Sequence, residues 1–225
     1  MGRVTARRSV VRLDDHARSE RMDTLVGEEP LEIRVDATPI AVTMRTPGDD
    51  FDLAAGFLWT EGLLKTADDL GALRYCAGVD DDGRNTYNVI DAQLASGAAP
   101  IPAGVARALY TSSSCGLCGK ASIDAVRVQA RFDVRSDPVC VDPDVLTALP
   151  ARLRDAQAVF AQTGGLHAAG LFTADGELVT LREDVGRHNA VDKVIGAAVR
   201  EHRLPLREHV LLVSGRASFE LVQKA

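Results

Sequence analysis

The sequence predicts a mixed protein of the α+β or α/β class, with a strand-rich N-terminal part followed by alternating strands and helices. Short runs of alternating apolar and polar residues recur between about residues 31 and 94, as is typical of strands with one buried face. Apolar strands and amphipathic stretches of helical length alternate after that, as they do where helices pack on a sheet. With 225 residues, 46% of them hydrophobic, the chain can bury a sizeable core without disulfides.

Composition and charge exclude several classes of function. The formal net charge of −6 argues against a nucleic-acid-binding protein with a broad basic surface. No apolar run approaches the ~20 residues that a membrane helix needs. The Arg-rich N-terminus lacks the apolar segment and cleavage site of a secretory signal, and Asp14, Asp15 and Glu20 argue against a transit peptide. We therefore expect a cytoplasmic protein that binds neither nucleic acid nor membranes.

The N-terminal half is expected to consist of an arm and a β-rich subdomain. Residues 1–22 show no sustained periodicity, so we expect a flexible arm there. The subdomain, residues 23–105, begins with strands over 31–35 and 40–44 that are joined by a turn. Its remaining predicted elements are a helix over 51–64, strands over 73–79 and 86–94, and a Gly-, Ala- and Pro-rich boundary over 96–102.

A C-terminal domain is expected over residues 106–225. Gly164 and Gly165 should end a long helix, and Ala174-Asp175-Gly176 predicts a hairpin turn. Ser218 is expected to cap a last helix that reaches Ala225 without a C-cap, which suggests that the chain is truncated there. The predicted elements are a strand over 107–111, a polar loop over 112–119, helices over 120–128, 143–162 and 186–200, paired strands over 168–173 and 177–181, and a strand over 210–214.

The four cysteines divide into two kinds. Cys76 and Cys140 lie in apolar stretches and are expected to be small buried hydrophobic residues. Cys115 and Cys118 form a single C-x-x-C pair. A closed structural zinc site would need two further ligands, and no second C-x-x-C or H-x₃₋₅-H pair supplies them. We therefore expect no permanently bound metal.

The loop that carries Cys115 and Cys118 is the most informative segment. Its serines and glycines are expected to leave the thiols uncovered, and Lys120 adds positive charge. A following helix start together with this charge would favour the thiolate, the nucleophile for disulfide exchange or for accepting sulfur from a persulfide. Alternatively, this is a surface loop whose cysteines are incidental. Redox shuttling also stays open, although a thioredoxin-like motif is expected near the start of a βαβ unit.

A second cluster is suited to anions. Asp184 can cap the helix that follows it, which puts Arg187 and His188 in the first turn, where free N–H groups and cations favour a phosphate. The alternative is a solvated helix start at which Glu183 and Asp184 neutralise Arg187. His167 is either a hydrogen-bonded core residue or a polar group in the same pocket as the thiols. The Ser214-to-Ser218 loop with Arg216 is again suited to phosphate.

Together these segments closely resemble the formate dehydrogenase accessory sulfurtransferase family (FdhD). The resemblance runs in family order from about Glu28 over nearly the whole chain. The matching stretches are residues 28–31, 44–48, 56–58 with 60–62, 112–120, 164–169, 183–189 with Asp192 and Lys193, and 214–224.

The resemblance implies a cytidine-deaminase-like, three-layer α/β C-terminal domain and a sulfur-carrying function. Cys115 matches the cysteine that receives a persulfide sulfur from a cysteine desulfurase, and Cys118 matches its companion. The sulfur would pass to the bis-guanine dinucleotide form of the molybdenum cofactor before insertion into apo-formate dehydrogenase. The candidate cofactor-binding residues are Lys120, His167, Glu183, Arg187, His188, Asn189, Ser214 and Arg216. We also expect a homodimer.

The resemblance leaves some alternatives open. In the family the chain continues beyond the segment that matches residues 218–225, and a later stretch contributes to cofactor binding. Deamination is not expected, because no H-x-E motif precedes a P-C-x-x-C motif. The alternatives to sulfur transfer are a thiol–disulfide oxidoreductase and a chaperone that binds the cofactor or the apo-dehydrogenase without handling sulfur.

Overall fold

The computed structural model describes residues 4–14, 17–76, 78, 83, 85–102 and 132–225. Within these ranges the strands form three sheets. One is the hairpin β1–β2, the second has the order β4-β3-β6-β5, and the third has the order β8-β7-β9. The strands are β1 Thr5–Asp14, β2 Ala17–Val26, β3 Glu29–Val35, β4 Thr38–Arg45, β5 Leu70–Tyr75, β6 Val89–Leu94, β7 His167–Thr173, β8 Leu178–Asp184 and β9 His209–Val213. The α-helices are α1 Asp50–Thr60, α2 Pro143–Ala156, α3 Ala158–Thr163, α4 Arg187–Arg200 and α5 Phe219–Lys224.

The N-terminal segment, for which the sequence predicts a flexible arm over residues 1–22, is a regular hairpin over its described residues. Thr5 pairs with Val26 at one end and Asp14 with Ala17 at the other, in unbroken antiparallel register. Most of its side chains are exposed, so the hairpin lacks the apolar alternation of a strand with one buried face. The paired strands also run past residue 22, the boundary expected between arm and subdomain.

The four-stranded sheet packs its buried face on α1. Leu31, Ile33 and Ile90 are fully buried in one cluster with Leu53 and Leu58 of α1. The strand pair predicted over 31–35 and 40–44 is confirmed, and its turn has positive φ at Asp36 and Ala37. The predicted helix over 51–64 is also present but ends at Thr60.

The connection from β4 to α1 is held by a buried arginine. Arg45 is completely buried and donates two hydrogen bonds to Asp50, from Nε at 3.1 Å and from Nη2 at 3.0 Å. It also donates to the Asn88 side chain. This paired, hydrogen-bonded charge fixes the loop in which Thr46 lies, because breaking it would leave a buried charge uncompensated.

The C-terminal sheet has a helix on each face. Along β7, Ala169 and Leu171 pack in the cluster of α4, whereas Ala168 and Phe172 pack with Leu153 of α2. This alternation follows from the period of two along a strand. The predicted hairpin is confirmed, with Gly176 at φ +80° in its turn. The helix predicted over 186–200 and the strand over 210–214 are also confirmed within one residue.

The predicted long helix over 143–162 is two helices. Asp142 caps the first by accepting a hydrogen bond from Asp144 N, and Pro143 begins it. The break falls at Gln157, whose ψ of 77° is outside the helical range. The predicted stop at Gly164 is confirmed, because this residue has the left-handed φ of +65° that ends α3.

The last helix, α5, is attached to α1 and α4 through Lys224. Ser218 caps α5 as predicted, by accepting a hydrogen bond from Leu221 N. Lys224 donates to both oxygens of Asp192 at 2.9 and 3.0 Å and to the Thr60 hydroxyl. Burial raises the pKa of the Asp192 carboxyl, while Lys224 opposes the rise.

Four predicted features lie outside the described residues. They are the strand over 107–111, the polar loop over 112–119, the helix over 120–128 and the boundary between residues 105 and 106. Of the two cysteines expected in the core, Cys140 is exposed and Cys76 is half-buried. The expectation for Cys140 is therefore wrong, because its short apolar stretch joins elements at the surface.

The two halves of the chain meet where α1 crosses α4. A Cβ placed on Gly56 would lie 1.8 Å from Asp192 O, and one on Gly196 would lie 1.8 Å from Asp52 O. The helix backbones therefore touch directly. Asp52 also pairs with Arg182 at 2.8 Å and with Arg200. The resulting order of layers is N-terminal sheet, α1, α4, C-terminal sheet and α2.

We expect Gly196→Ala to destabilise the protein by about 3 kcal/mol, at the upper end for overpacking, because the added methyl group meets backbone atoms. The free energy of unfolding is measured by urea denaturation. Ala151→Val, which adds bulk at an exposed position of α2, is the control and should change stability by less than about 0.5 kcal/mol. Equal stability of Gly196→Ala and the unsubstituted protein would contradict the close helix crossing.

Candidate functional site

Most of the predicted site residues lie at one edge of the C-terminal sheet. The start of β7 lies beside the ends of β8 and β9, because β7 is antiparallel to both. The first turn of α4 follows β8 directly. The residues gathered at this edge are His167, Glu183, Arg187, His188, Asn189, Ser214 and Arg216. Cys115, Cys118 and Lys120 lie outside the described residues.

A cavity of about 450 Å³ opens at this edge. Its volume is within the ~300–1,000 Å³ that is usual for small-molecule sites. Its lining includes Arg154, Gln157, Phe160, Gly165, His167 and Ser214. The cavity therefore combines an aromatic ring, an amide, a hydroxyl, an imidazole and a guanidinium.

The loop after β9 is held against the start of β7. The Ser214 hydroxyl accepts a hydrogen bond from Ala168 N at 2.9 Å, and Ser214 N donates to Ala168 O at 2.9 Å. The next residue, Gly215, lies close to two side chains of the site. A Cβ there would lie 3.2 Å from Arg187 Cδ and 3.5 Å from His167 Nδ1. Arg187 and His167 therefore both lie beside Gly215 in this loop.

Arg187 is available for a ligand. It is the first residue of α4, whose N-cap, Gly186, supplies no capping side chain. Its Nε is buried and has no hydrogen-bond partner within the described ranges. A helix N-terminus with an unpaired arginine favours an anion. The alternative in which Glu183 and Asp184 neutralise Arg187 is not what the structure has, because both carboxylates are engaged elsewhere.

The Glu183 carboxylate holds the start of α3 and does not pair with Arg187 of α4. It accepts hydrogen bonds from Val159 N at 3.0 Å and from Phe160 N at 2.8 Å, at the start of α3. This places Phe160 beside the cavity, where the Arg154 guanidinium lies 3.9 Å from the centre of its ring. The structure thus assigns Glu183 a structural contact, and its role in cofactor binding stays a prediction.

Asp184 and Lys193 form a fully buried ion pair behind the site. Lys193 Nζ lies 2.8 Å from Asp184 Oδ2, and the two side chains are 1% and 0% exposed. Asp184 also accepts hydrogen bonds from Gly186 N at 2.8 Å and Thr46 N at 3.1 Å. Lys193 donates to Thr46 O at 2.9 Å. The expectation that Asp184 is the N-cap of α4 is therefore wrong, because it is Gly186 that occupies the N-cap.

The other predicted residues differ in accessibility. Asn189 is buried and donates through Nδ2 to Met44 O at 2.8 Å and to Asp184 at 3.0 Å. His188 is 7% exposed, whereas Ser214 and Arg216 are exposed residues. The roles of all four in binding stay predictions, and the geometry gives Asn189 a structural contact between the two halves of the chain.

Sequence reasoning missed four residues at or behind the site. Arg154, Gln157 and Phe160 line the cavity because the helix breaks at Gln157, and no Gly or Pro marks that break. Lys193 had a usable signal, because it interrupts the apolar stretch of α4 between Val191 and Val194. A lysine in a buried face is expected to have a buried partner.

The sequence pattern of the FdhD/NarQ family matches residues 26–225. The chain belongs to this family. The resemblance found in the motifs is therefore confirmed. The match begins at the last residue of β2, so nearly all of the hairpin lies before it.

Several curated FdhD proteins are similar over the whole chain. The sulfur carrier protein FdhD of Streptomyces avermitilis is 62% identical over 226 residues, which cover 100% of this chain and 80% of that protein. The sulfur carrier protein FdhD of Mycolicibacterium paratuberculosis is 58% identical, covering 98% of this chain and 81% of that protein. The sulfur carrier protein FdhD of Mycobacterium tuberculosis is 54% identical, covering 100% of this chain and 83% of that protein.

A solved structure has the same mixed α/β fold. A crystal structure described as that of a formate dehydrogenase accessory protein from Desulfotalea psychrophila superimposes with a TM-score of 0.74 at 21% identity. The superposition covers 99% of this chain and 79% of that one. None of the described helices is long and apolar enough to cross a membrane. No group of three or more potential metal ligands occurs within the described ranges.

We expect Lys193→Met to destabilise the FdhD fold by about 3–5 kcal/mol, because it leaves the Asp184 carboxylate buried without its counter-charge. Lys65→Met, at an exposed position, should change the free energy of unfolding by less than about 0.5 kcal/mol. Urea denaturation of both variants checks this. A loss below about 1 kcal/mol in Lys193→Met would mean that the buried pair does not hold the site together.

Proposed function

We propose that this protein carries sulfur as a persulfide on Cys115 and delivers it to the guanine dinucleotide form of the molybdenum cofactor for formate dehydrogenase. Membership of the FdhD/NarQ family is the observation that carries the proposal. Relatives named sulfur carrier protein FdhD, up to 62% identical over the whole chain, support it. So does the single C-x-x-C pair in a Ser- and Gly-rich loop.

The loading step needs no oxidant. The Cys115 thiolate attacks the outer sulfur of a cysteine persulfide on a desulfurase. The sulfur–sulfur bond of the donor breaks, the donor cysteine leaves as a thiolate, and the persulfide on Cys115 forms. A thiolate at neutral pH is required for this attack, and the positive charge of Lys120 in the same segment favours it.

Release uses the second cysteine. The Cys118 thiolate attacks Sγ of the persulfidated Cys115, so that a disulfide forms and the outer sulfur leaves as hydrosulfide for the cofactor. The two thiols are oxidised while the transferred sulfur is reduced. A cellular dithiol then reduces the disulfide. Cysteines at positions i and i+3 are close enough in sequence to bridge.

The cavity is proposed as the site for a phosphate-bearing part of the cofactor. Arg187, whose Nε has no partner among the described residues, and the uncapped start of α4 supply positive charge at its edge, and His167 adds an imidazole. Gln157 lines the cavity, and its Nε2 is buried without a hydrogen-bond partner among the described residues. Such a donor costs about 1–3 kcal/mol, and a rotation of the amide would offer it to a ligand.

The wider setting belongs to the same proposal. A cysteine desulfurase is the donor, apo-formate dehydrogenase receives the sulfurated cofactor, and the exchange takes place in the cytoplasm. The proposed cytidine-deaminase-like layout of the C-terminal half is supported by the sheet β8-β7-β9 between α4 and α2.

We expect incubation with a desulfurase and cysteine to add one sulfur atom to the protein, as measured by intact mass. Cys115→Ala should abolish the adduct, since it removes the acceptor thiolate. Cys140→Ala, which removes an exposed cysteine, is the matched control and should load normally. Cys118→Ala should load but deliver sulfur to the cofactor more slowly. An undiminished adduct in Cys115→Ala would contradict the assignment, and multiple turnover of insulin disulfides would favour an oxidoreductase instead.

We expect Arg187→Ala to weaken GDP binding by about tenfold to a hundredfold, because charge-assisted hydrogen bonds contribute about 1.5–3 kcal/mol. Arg207→Ala, at an exposed position before the opposite end of β9, is the control for net charge and should bind GDP normally. Titration calorimetry measures both affinities. Identical affinities for Arg187→Ala and the unsubstituted protein would remove Arg187 from the phosphate site.

Gln157 is tested in the same calorimeter. Gln157→Met keeps the shape of the side chain and removes the unpartnered donor. GDP affinity should fall severalfold while the free energy of unfolding stays equal or rises. Unchanged GDP affinity would show that the amide does not contribute to binding.

A further inference from the structure

A groove of about 300 Å³ lies between the edge of the N-terminal sheet and the end of α4. Within the described ranges β5 pairs only with β6, so its other side is an edge of the sheet. Four consecutive residues of β5, Leu70 to Leu73, line the groove. Successive side chains of a strand point to opposite faces of its sheet. A groove that contacts all four residues therefore follows the edge of the strand.

The rest of the lining is apolar except for two residues. Phe51 of α1, Val199 of α4 and Ala67 before β5 supply the apolar part. Arg200 and His202 are the ionisable residues of the lining, and the Arg200 guanidinium lies 5.8 Å from the centre of the Phe51 ring. The groove shares no residue with the cavity at the start of α4. The proposed function therefore gives it no role.

The edge of β5 presents outward-facing backbone groups. Cys76 N donates to Val89 O of β6 at 2.9 Å, so the backbone groups of Cys76 face β6. In an antiparallel pair, successive residues direct these groups alternately toward the partner strand and away from it. The register continues back along β5, so Arg74 faces β6, whereas Leu73 and Tyr75 direct their N–H and C=O groups outward. These are the groups with which a further strand pairs.

The side-chain charge that reaches solvent beside the groove is positive. The Arg200 side chain is 42% exposed, whereas that of its partner Asp52 is 4% exposed. On β5 the Arg74 side chain is 59% exposed, whereas that of its partner Asp91 is 2% exposed. In both pairs the carboxylate is buried and the guanidinium reaches the surface. Because a guanidinium has five N–H donors, each arginine can bind a further carboxylate from solvent.

We propose that the groove binds an extended segment of a partner protein, in which apolar residues alternate with carboxylates. The segment pairs with Leu73 and Tyr75 as a fifth strand, places an apolar side chain beside Phe51 and directs its carboxylates to the exposed arginines. In strand addition of this kind, main-chain hydrogen bonds supply affinity and side-chain pockets supply specificity. The exposed carboxylate of Asp68 does not oppose this charge preference alone, because it lies 3.3 Å from His202 Nδ1.

Other occupants fit these observations less well. A small apolar molecule fills the pocket but leaves the outward-facing backbone groups of β5 unused. A second copy of this chain, paired edge to edge through β5, brings Arg74 and Arg200 of both copies together, and like charges opposite each other are unfavourable. The proposal holds whether or not the protein carries sulfur, because none of the groove residues belongs to the proposed transfer chemistry.

Peptide binding to the full chain tests the proposal. The probe is an acetylated and amidated peptide, Glu-Leu-Glu-Val-Glu, that carries a fluorophore, and its binding is measured by fluorescence anisotropy. We expect saturable binding with a Kd in the micromolar range. The same peptide with N-methylated amides lacks main-chain donors and should bind at least about tenfold more weakly. No saturable binding of the acidic peptide, or equal binding of the N-methylated one, would overturn the proposal.

Amide hydrogen exchange shows whether the bound peptide forms a strand. A saturating concentration of the acidic peptide should slow the exchange of the Leu73 and Tyr75 amides about tenfold or more, because the new strand accepts their hydrogen bonds. The Arg74 amide already faces β6 and should change much less. An unchanged exchange rate at both Leu73 and Tyr75 would show that the peptide binds elsewhere, and would contradict strand addition.

Charge reversal at the groove separates docking from misfolding. Ala72 is exposed and lines the groove, so Ala72→Glu should weaken binding of the acidic peptide about tenfold or more. The variant should bind a Lys-Leu-Lys-Val-Lys peptide more tightly than the unsubstituted protein does, which a misfolded groove could not do.

Ala151→Glu is the matched control, because it adds the same charge at an exposed position of α2. It should change the affinity for the acidic peptide by less than about threefold. Unaltered affinities of Ala72→Glu for both peptides would overturn the proposal. A changed oligomeric state of Ala72→Glu in ultracentrifugation would also overturn it, because a second copy would then be the occupant of the groove.

Discussion

The buried ion pair between Asp184 and Lys193 connects the site to both halves of the chain. Two ions can be buried together only if their remaining hydrogen-bonding capacity is satisfied, and here the backbone of Thr46 and the N-cap Gly186 satisfy it. The loop after β4, the end of β8 and the first turn of α4 are therefore held in one arrangement. Because Asp184 is committed to Lys193, it is not available to neutralise Arg187, whose charge is left for an anion.

Close backbone contact allows this arrangement to form. Without a side chain at Gly56 and Gly196, α1 and α4 approach until their backbones touch, so the N-terminal sheet is brought against the C-terminal layers. The loop that contains Thr46 leads from β4 into α1. The helix crossing therefore also fixes Thr46, whose backbone is hydrogen-bonded to both Asp184 and Lys193. The edge of the C-terminal sheet thus depends on residues that are distant in sequence.

Features of the fold that depend on neighbouring residues were predicted from the sequence. The Ala174-Asp175-Gly176 turn, the stop at Gly164 and the Ser218 cap each depend on neighbouring residues, and all three are present. The hairpin β1–β2 was missed because it lacks a buried face and hence an apolar period. The break at Gln157 and the pairing of Asp184 with Lys193 depend on contacts between distant segments. Which residues lie at the site could be predicted from the sequence. The sequence could not show that Glu183 and Asp184 make structural contacts, or that Arg187 Nε is left without a hydrogen-bond partner among the described residues.

The proposed function requires that one sulfur atom reside on one particular thiol, that of Cys115. Tandem mass spectrometry of peptides from desulfurase-treated protein, with free thiols alkylated, tests it most directly. We expect the additional sulfur on Cys115 and unmodified, alkylated thiols at Cys76 and Cys140. Sulfur bound equally at all four cysteines, or confined to a cysteine other than Cys115, would contradict the account.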